Sequence, residues 1–228
     1  MVPDACLDLL FRLHGRPEGA GALLVGTMTR PLPVLNPPSV DLLGVRFHPG
    51  AARPFLPCPA DHLTDDGLEL GRAWPEGASL RERLALLPST GARIRTLSGE
   101  LLARLAPWEE ATEAHPDVQV QEALRLLHRP TPPTTAEVAQ RVGLGRRQLG
   151  RRFRNAVGIP PSVAHRVLRF QDGLHLLWTR PDLSLSRVAL AAGYHDQPHF
   201  TREFKALAGE APGGYRRRRG LGRAVAPA

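Results

Sequence analysis

One stretch of this chain occurs twice. From Val138 the sequence reads VAQRVGLGRRQLGRRFRNAVGIPP, and from Val188 it reads VALAAGYHDQPHFTREFKALAGEAP. Ala139 and Gly143 recur as Ala189 and Gly193 at an offset of 50. Leu149, Phe153, Gly158 and Pro161 recur as Phe200, Phe204, Gly209 and Pro212 at an offset of 51. The one-residue slip falls between the glycine and the helix that follows, and therefore in a turn. Each copy has helix-turn-helix spacing: a small alanine where two helices approach, a glycine four residues later, then an apolar anchor six or seven further on. The glycine supplies the backbone conformation the turn requires, which costs other residues energy. Two such units commit the C-terminal half to helices, and a double reader of DNA is the leading expectation.

Charge divides along the same line. Residues 1–118 carry 11 Arg and 15 acidic residues, a net −4, whereas residues 119–228 carry 18 Arg, one Lys and 7 acidic residues, a net +12. A basic half joined to a mildly acidic one is the electrostatic footprint of a nucleic-acid binder fused to something else. Cys6 and Cys58 are too few for a disulfide framework and no signal peptide precedes them. No apolar run approaches the roughly 18 residues of a membrane span. A cytoplasmic, nucleoid-associated protein without a membrane segment is expected.

The patterning predicts an α+β N-terminal domain over 1–105. CLDLLFRL (6–13), ALLVGTM (22–28) and VDLLGVRFH (40–48) are short apolar runs set off by Gly and Pro, as strands are. LRERLALLP (80–88) and IRTLSGELLARL (94–105) have apolar residues three and four apart, as helices do. Residues 106–117, acidic and flanked by proline, read as a linker or as the lead-in to the next helix. From 118 to 219 the chain reads as an all-α domain, followed by a tail at 220–228. VQVQEALRLLHR forms its first helix; Thr134 and Glu137 make a T-x-x-E capping box for the next. A helix from about Val163 to Trp178 joins the two units, and Ser184 and Asp196 stand where N-caps belong.

With these residues in view, positions from about Gln119 to Arg219 resemble the DNA-binding module of the AraC family of bacterial transcription regulators. The stretch VALAAGYHDQPHFTREFKALAGEAPGGYRR carries the resemblance most specifically. It implies seven helices and two helix-turn-helix units joined by the connecting helix, with the recognition helices in successive major grooves of double-stranded DNA. The N-terminal residues VPDACLDLLF, LLGVRFHPGAA and LRERL are similar to an uncharacterised domain often found ahead of that module. Relatives usually read PDGC after a further strand or two. Here Ala5 replaces the glycine and the chain begins almost at the motif, so a domain shortened at its start is expected.

Base-reading residues are expected at exposed positions near the start of each recognition helix. These are Arg146, Arg147, Gln148 and Arg151 in the first unit, and Gln197, His199, Thr201 and Arg202 in the second. Arginine matches guanine O6 and N7 bidentately, and glutamine matches adenine. Arg146 and Arg152 read equally well as base readers or as phosphate contacts or solvated side chains. Leu149, Phe153, Phe200 and Phe204 are assigned to the core by their spacing. Two residues depart from the family: Gly145 stands where a serine cap is favoured, and Gly150 occupies a position that relatives use to reach bases. The first unit is therefore expected to anchor through arginine charge while the second discriminates sequence. Arg216 to Arg219 read as a charged run beyond the last helix, adding phosphate attraction.

Three further readings stand beside this one. AraC-like modules also occur fused to DNA-repair methyl acceptors, whose chemistry needs an activated cysteine; Cys58 in LPCPADH lacks the following His-Arg, and Cys6 lies in an apolar strand. A metal sensor would use Cys6, Cys58, His48 and His62, but their spacings match no zinc pattern; His48 in RFHPG reads as a turn residue. A small-molecule effector would bind the N-terminal domain, with Phe11, Phe47, Phe55 and Trp74 as candidate lining. That domain equally suits dimerisation or contact with RNA polymerase. Without a nucleophile elbow, P-loop or dinucleotide fingerprint, no catalysis, cofactor or metal is expected. Oligomeric state and operator are left open.

Overall fold

The computed structural model describes residues 1–14, 21–32, 41–110, 117–129 and 132–218. Alternation in LDLLFRL builds the central strand β1 (Leu7–His14), which buries Leu7, Leu9, Phe11 and Leu13 on one face. Strands β2 (Ala22–Val25) and β3 (Asp41–Phe47) pair with it antiparallel, and β4 (Gly67–Glu69) adds to β2, giving the order β3-β1-β2-β4. At three residues β4 is too short to leave a periodic signature in the sequence. Asp8 is buried on β1 opposite Arg46 of β3, whose guanidinium donates two hydrogen bonds of 2.9 Å to it. The bidentate pair answers a charge that burial would otherwise make costly.

Two short helices, α1 (Leu70–Ala73) and α2 (Gly77–Leu86), lie against β1 and β2, and the long α3 (Thr90–Glu110) packs beside α2. Phe11, Phe47, Phe55 and Trp74, candidates for lining a ligand pocket, are all buried in the core, where Phe47 stacks on Phe55 at 4.8 Å and the Trp74 indole N–H donates to the Phe55 carbonyl; of the four, Phe55 and Trp74 also line an open cleft of about 480 Å³. The expected linker at 106–117 also needs correction. α3 runs through Pro107 to Glu110, so the first five of those residues are helical. Proline lacks the N–H and crowds the preceding turn, which is why the sequence suggests a stop. Packing of α3 on the 3-10 turn Arg53–Phe55 overrides that preference. Residues 111–116 and the expected tail at 220–228 lie outside the described residues.

The C-terminal half contains α4 (Val118–Leu127), α5 (Thr135–Arg141), α6 (Arg146–Val157), α7 (Pro161–Thr179), α8 (Leu185–Ala191), α9 (Gln197–Ala208) and α10 (Pro212–Arg218). These are the seven helices the resemblance implies, among the described residues. α7 starts two residues earlier than the sequence suggests, because Pro161 fits the first helical position, where its missing N–H is not needed. Arg216, Arg217 and Arg218 do not lie beyond the last helix: they form the final turn of α10. There Arg216 donates to the Leu183 carbonyl and Arg218 pairs with Glu210.

Each half has its own hydrophobic cluster, but they meet. Ala5, at the start of the N-terminal domain, is fully buried within the helical cluster. Its φ of +63° is a left-handed conformation that glycine adopts freely and alanine adopts at a cost, a physical reason for the glycine of relatives. Across the same boundary the Thr27 hydroxyl donates to the Val157 carbonyl at 2.5 Å and the Thr64 hydroxyl to the Gly158 carbonyl at 2.5 Å. Gln121 donates to the Pro49 carbonyl at 3.1 Å, and Gln171 donates to that of Pro3. The N-terminal domain therefore grips the C-terminal end of α6, where helix carbonyls lack internal partners.

Candidate nucleic-acid interface

The sequence repeat is reproduced bond for bond in the backbone. In the first unit Thr134 accepts from Glu137 N at 3.3 Å, and the Glu137 carboxylate returns to Thr134 N at 2.8 Å, completing the capping box. In the second, Ser184 accepts from Arg187 N at 3.3 Å. The turns then match: Gly143 N and Leu144 N reach the carbonyls of Gln140 and Ala139, as Gly193 N and Tyr194 N reach those of Leu190 and Ala189. Gly143 (φ +70°) and Gly193 (φ +77°) both take the left-handed conformation, which explains why the glycine recurs. Gly158 and Gly209 end α6 and α9 in the same conformation.

The starts of the two recognition helices differ. Asp196 caps α9 by accepting from His199 N at 2.7 Å, whereas Gly145 gives α6 no side-chain cap. Leu149, Phe153, Phe200 and Phe204 are all fully buried. The opposite face of α6 exposes Arg146, Arg147, Gln148, Arg151 and Arg154. That of α9 exposes Gln197, Arg202 and Lys205, with His199 and Thr201 beside them. His199 rests edge-on against Tyr194, 5.3 Å between ring centres, which fixes its direction. Among the described residues, none of Arg146, Arg147, Arg151, Arg154, Arg202 and Lys205 is in an ion pair with a carboxylate. Among the described residues, the exposed face of each recognition helix thus carries unpaired cations beside the candidate readers.

Arg152 does not belong to that surface. Its guanidinium donates to Asp117 at 2.5 Å and to Gln119, tying α6 to the start of α4. The equivalent residue in the second unit is Glu203, which receives 2.8 Å hydrogen bonds from both Arg166 and Arg169 of α7. Burial alone would raise the Glu203 carboxyl, but the two guanidinium groups outweigh it and hold it below the usual range. Arg169 also lies over the Tyr194 ring at 4.2 Å. Both recognition helices are thus braced by an ion pair at the same repeat position, with the charge reversed. This brace is missed in the sequence, because the partners of Arg152 and Glu203 lie more than thirty residues away.

Residues 138–218 match a family model described as a helix-turn-helix domain, and residues 1–69 match a domain of unknown function (DUF6597). The HTH-type transcriptional regulator MtrA of Neisseria gonorrhoeae is 39% identical over 77 residues, 34% of this chain and 25% of MtrA. The HTH-type transcriptional regulator CdhR of Pseudomonas aeruginosa is 36% identical over 85 residues, 37% of this chain and 25% of CdhR. The matches therefore span about a quarter of these curated relatives. A solved structure of a transcriptional regulator from Chromobacterium violaceum, described among AraC-type DNA-binding domain-containing proteins, is 30% identical and covers 44% of this chain and 91% of that one, with a TM-score of 0.41.

The C-terminal half carries a helix-turn-helix domain similar to those of HTH-type transcriptional regulators. The match spans both helix-turn-helix units, and Gly173, between them, has a role that the sequence alone does not reveal. A Cβ at Gly173 would stand 2.8 Å from Cε2 of Phe200, so glycine lets α9 approach the connecting helix α7. The chemistry of the alternative readings finds less support. Burial, and then the charge of Asp4, push the Cys6 thiol up to about 12, the opposite of what a methyl acceptor needs. Among the described residues no three His, Cys, Asp or Glu side chains are grouped to hold a metal ion. Nor, among those residues, is any helix long and apolar enough to cross a membrane. The Ala51 N–H bonds to the His48 carbonyl at 2.9 Å, closing the turn read from RFHPG.

Proposed function

We propose that this protein is an AraC-family transcription regulator that binds double-stranded DNA sequence-specifically, seating α6 and α9 in successive major grooves. The observation that carries the reading is the free cationic face on each recognition helix, with the two faces joined through one continuous helix. α7 has 19 residues, about 28 Å at 1.5 Å each. That length suits recognition helices about one helical turn of DNA apart, roughly 34 Å. In this reading Arg146, Arg147, Gln148 and Arg151 face one groove, and Gln197, His199, Thr201 and Arg202 the next. The first unit, uncapped at Gly145 and without a side chain at Gly150, anchors through charge. The second supplies most of the base discrimination.

The N-terminal domain is the regulatory part, a seat for a small-molecule effector or for contact with RNA polymerase, and the protein resides with the nucleoid. Selection of sites from random duplex DNA by the full chain at physiological salt tests the proposal. Two enriched blocks about one helical turn apart support it. A single block read by the second unit would reduce the first unit to an anchor, and no enrichment would leave a nonspecific binder.

A further inference from the structure

A cleft of about 290 Å³ separates the N-terminal domain from the flank of α6. Gly50, Ala51, Arg53 and Pro54 form one wall together with Trp108. Arg151, Arg152 and Asn155 form the other, and Asp117 lies between them. The walls belong to different domains yet are held in register by the Thr27 and Thr64 hydroxyls on the last carbonyls of α6.

Among the described residues, the charges around this cleft do not balance. Asp117 is committed twice: one carboxylate oxygen accepts from Arg152 and the other from Val120 N at the start of α4. Arg152 is thereby neutralised. Arg53 donates from Nη1 to the Leu56 carbonyl and has no carboxylate partner among the described residues; Arg151 has no carboxylate partner among them either. Two guanidinium groups thus reach the cleft from opposite walls, an arrangement that attracts an anion. Trp108 adds a flat apolar surface, with the Arg53 guanidinium carbon 5.7 Å from its ring centre. Asn155 adds an amide able to donate or accept. The volume is at the small end for ligand sites, enough for one compact molecule.

We propose that this cleft binds a small organic anion bearing a flat apolar group, which engages Arg53 and Arg151 and withdraws Arg151 from DNA. The regulatory part of the proposal rests on the reading of α6 as a recognition helix; the binding part does not. Arg151 is shared between the cleft and the exposed face of α6, so ligand and DNA compete for one guanidinium. That places effector control directly on the recognition helix, with no large movement of either domain.

The test uses the full chain with 1-naphthoate, phenylacetate and indole-3-carboxylate as probes, and their neutral amides as controls. Calorimetry without DNA examines the cleft itself. At least one carboxylate should bind, its amide should bind at least tenfold more weakly, and Arg53→Gln and Trp108→Leu should each abolish binding. A second measurement titrates the DNA selected by the wild type. The binding carboxylate should weaken wild-type DNA affinity about tenfold and leave that of Arg53→Gln unchanged, while both proteins bind DNA alike in its absence. Equal binding of acids and amides, no binding of any probe at millimolar concentration, or an unaltered response of Arg53→Gln overturns the proposal. Probe binding without an effect on DNA affinity overturns the competition through Arg151. Failure of the wild type to select DNA sinks the reading of α6, and calorimetry then decides by itself whether the cleft binds an anion.

Discussion

Gly150 sets the character of the first recognition helix. Glycine inside a helix costs about 1 kcal/mol against alanine because its backbone has more freedom to lose. Here nothing in the packing demands it: an added Cβ would meet only the Arg154 Nη1 atom, at 3.8 Å. Gly150→Ala should therefore stabilise the protein by about 1 kcal/mol, read as a higher denaturation midpoint with an unchanged slope. Gly173 predicts the reverse for the same substitution, since the ring of Phe200 occupies the space. In the second unit, Arg202 is exposed on α9 and in no ion pair among the described residues. Arg202→Ala should relax base preference at one position of the selected site, worth about 1–3 kcal/mol for a bidentate contact to guanine. Unchanged selectivity would move Arg202 from base reading to the phosphates.

At the scale of elements, what brackets each recognition helix was legible and what braces it was not. Thr134, Glu137, Gly143, Ser184, Gly193 and Asp196 act on residues at most five positions away, so their roles follow from local chemistry. β4 and the extension of α3 past Pro107 escaped, because pairing and packing rather than pattern decide them. The Glu203 brace escaped for the same reason. Its carboxyl is lowered in the folded protein, so its contribution to stability is present above the unfolded value, about 4.3. That contribution is lost as pH falls through the lower folded value. Glu203→Gln should cost about 1.5–3 kcal/mol at neutral pH, as hydrogen bonds to charged groups do. The gap between variant and wild type should close in acid denaturation below pH about 4. The interdomain hydroxyls follow similar logic. Thr27 is fully buried, and Thr27→Val would leave the Val157 carbonyl without that donor, at a cost of about 1–3 kcal/mol. Thr27→Ser, which restores the hydroxyl, should recover most of it.

Over the whole molecule, charge and geometry pull apart in an informative way. Not all 19 cations of residues 119–228 are available to a ligand, because Arg152, Arg166, Arg169 and Arg180 are engaged in ion pairs with carboxylates of this chain. Six cations remain on the exposed faces of α6 and α9: Arg146, Arg147, Arg151, Arg154, Arg202 and Lys205. If each neutralises one phosphate, log affinity should fall with log salt at a slope of about −5. Base-reading arginines subtract from that figure, so a shallower slope would count them. Arg154 separates the two roles. It lies beside the gap at Gly150 in an open groove with Thr135, Arg146, Arg147 and Ser162, more than two turns into α6 and away from the base-reading start of the helix. Arg154→Gln should therefore lower affinity for every sequence alike, reduce the slope by about 0.9, and leave the selected consensus unchanged. A changed consensus would mean that the first unit reads bases through Arg154, and that the open position at Gly150 serves to admit the duplex rather than to weaken the grip.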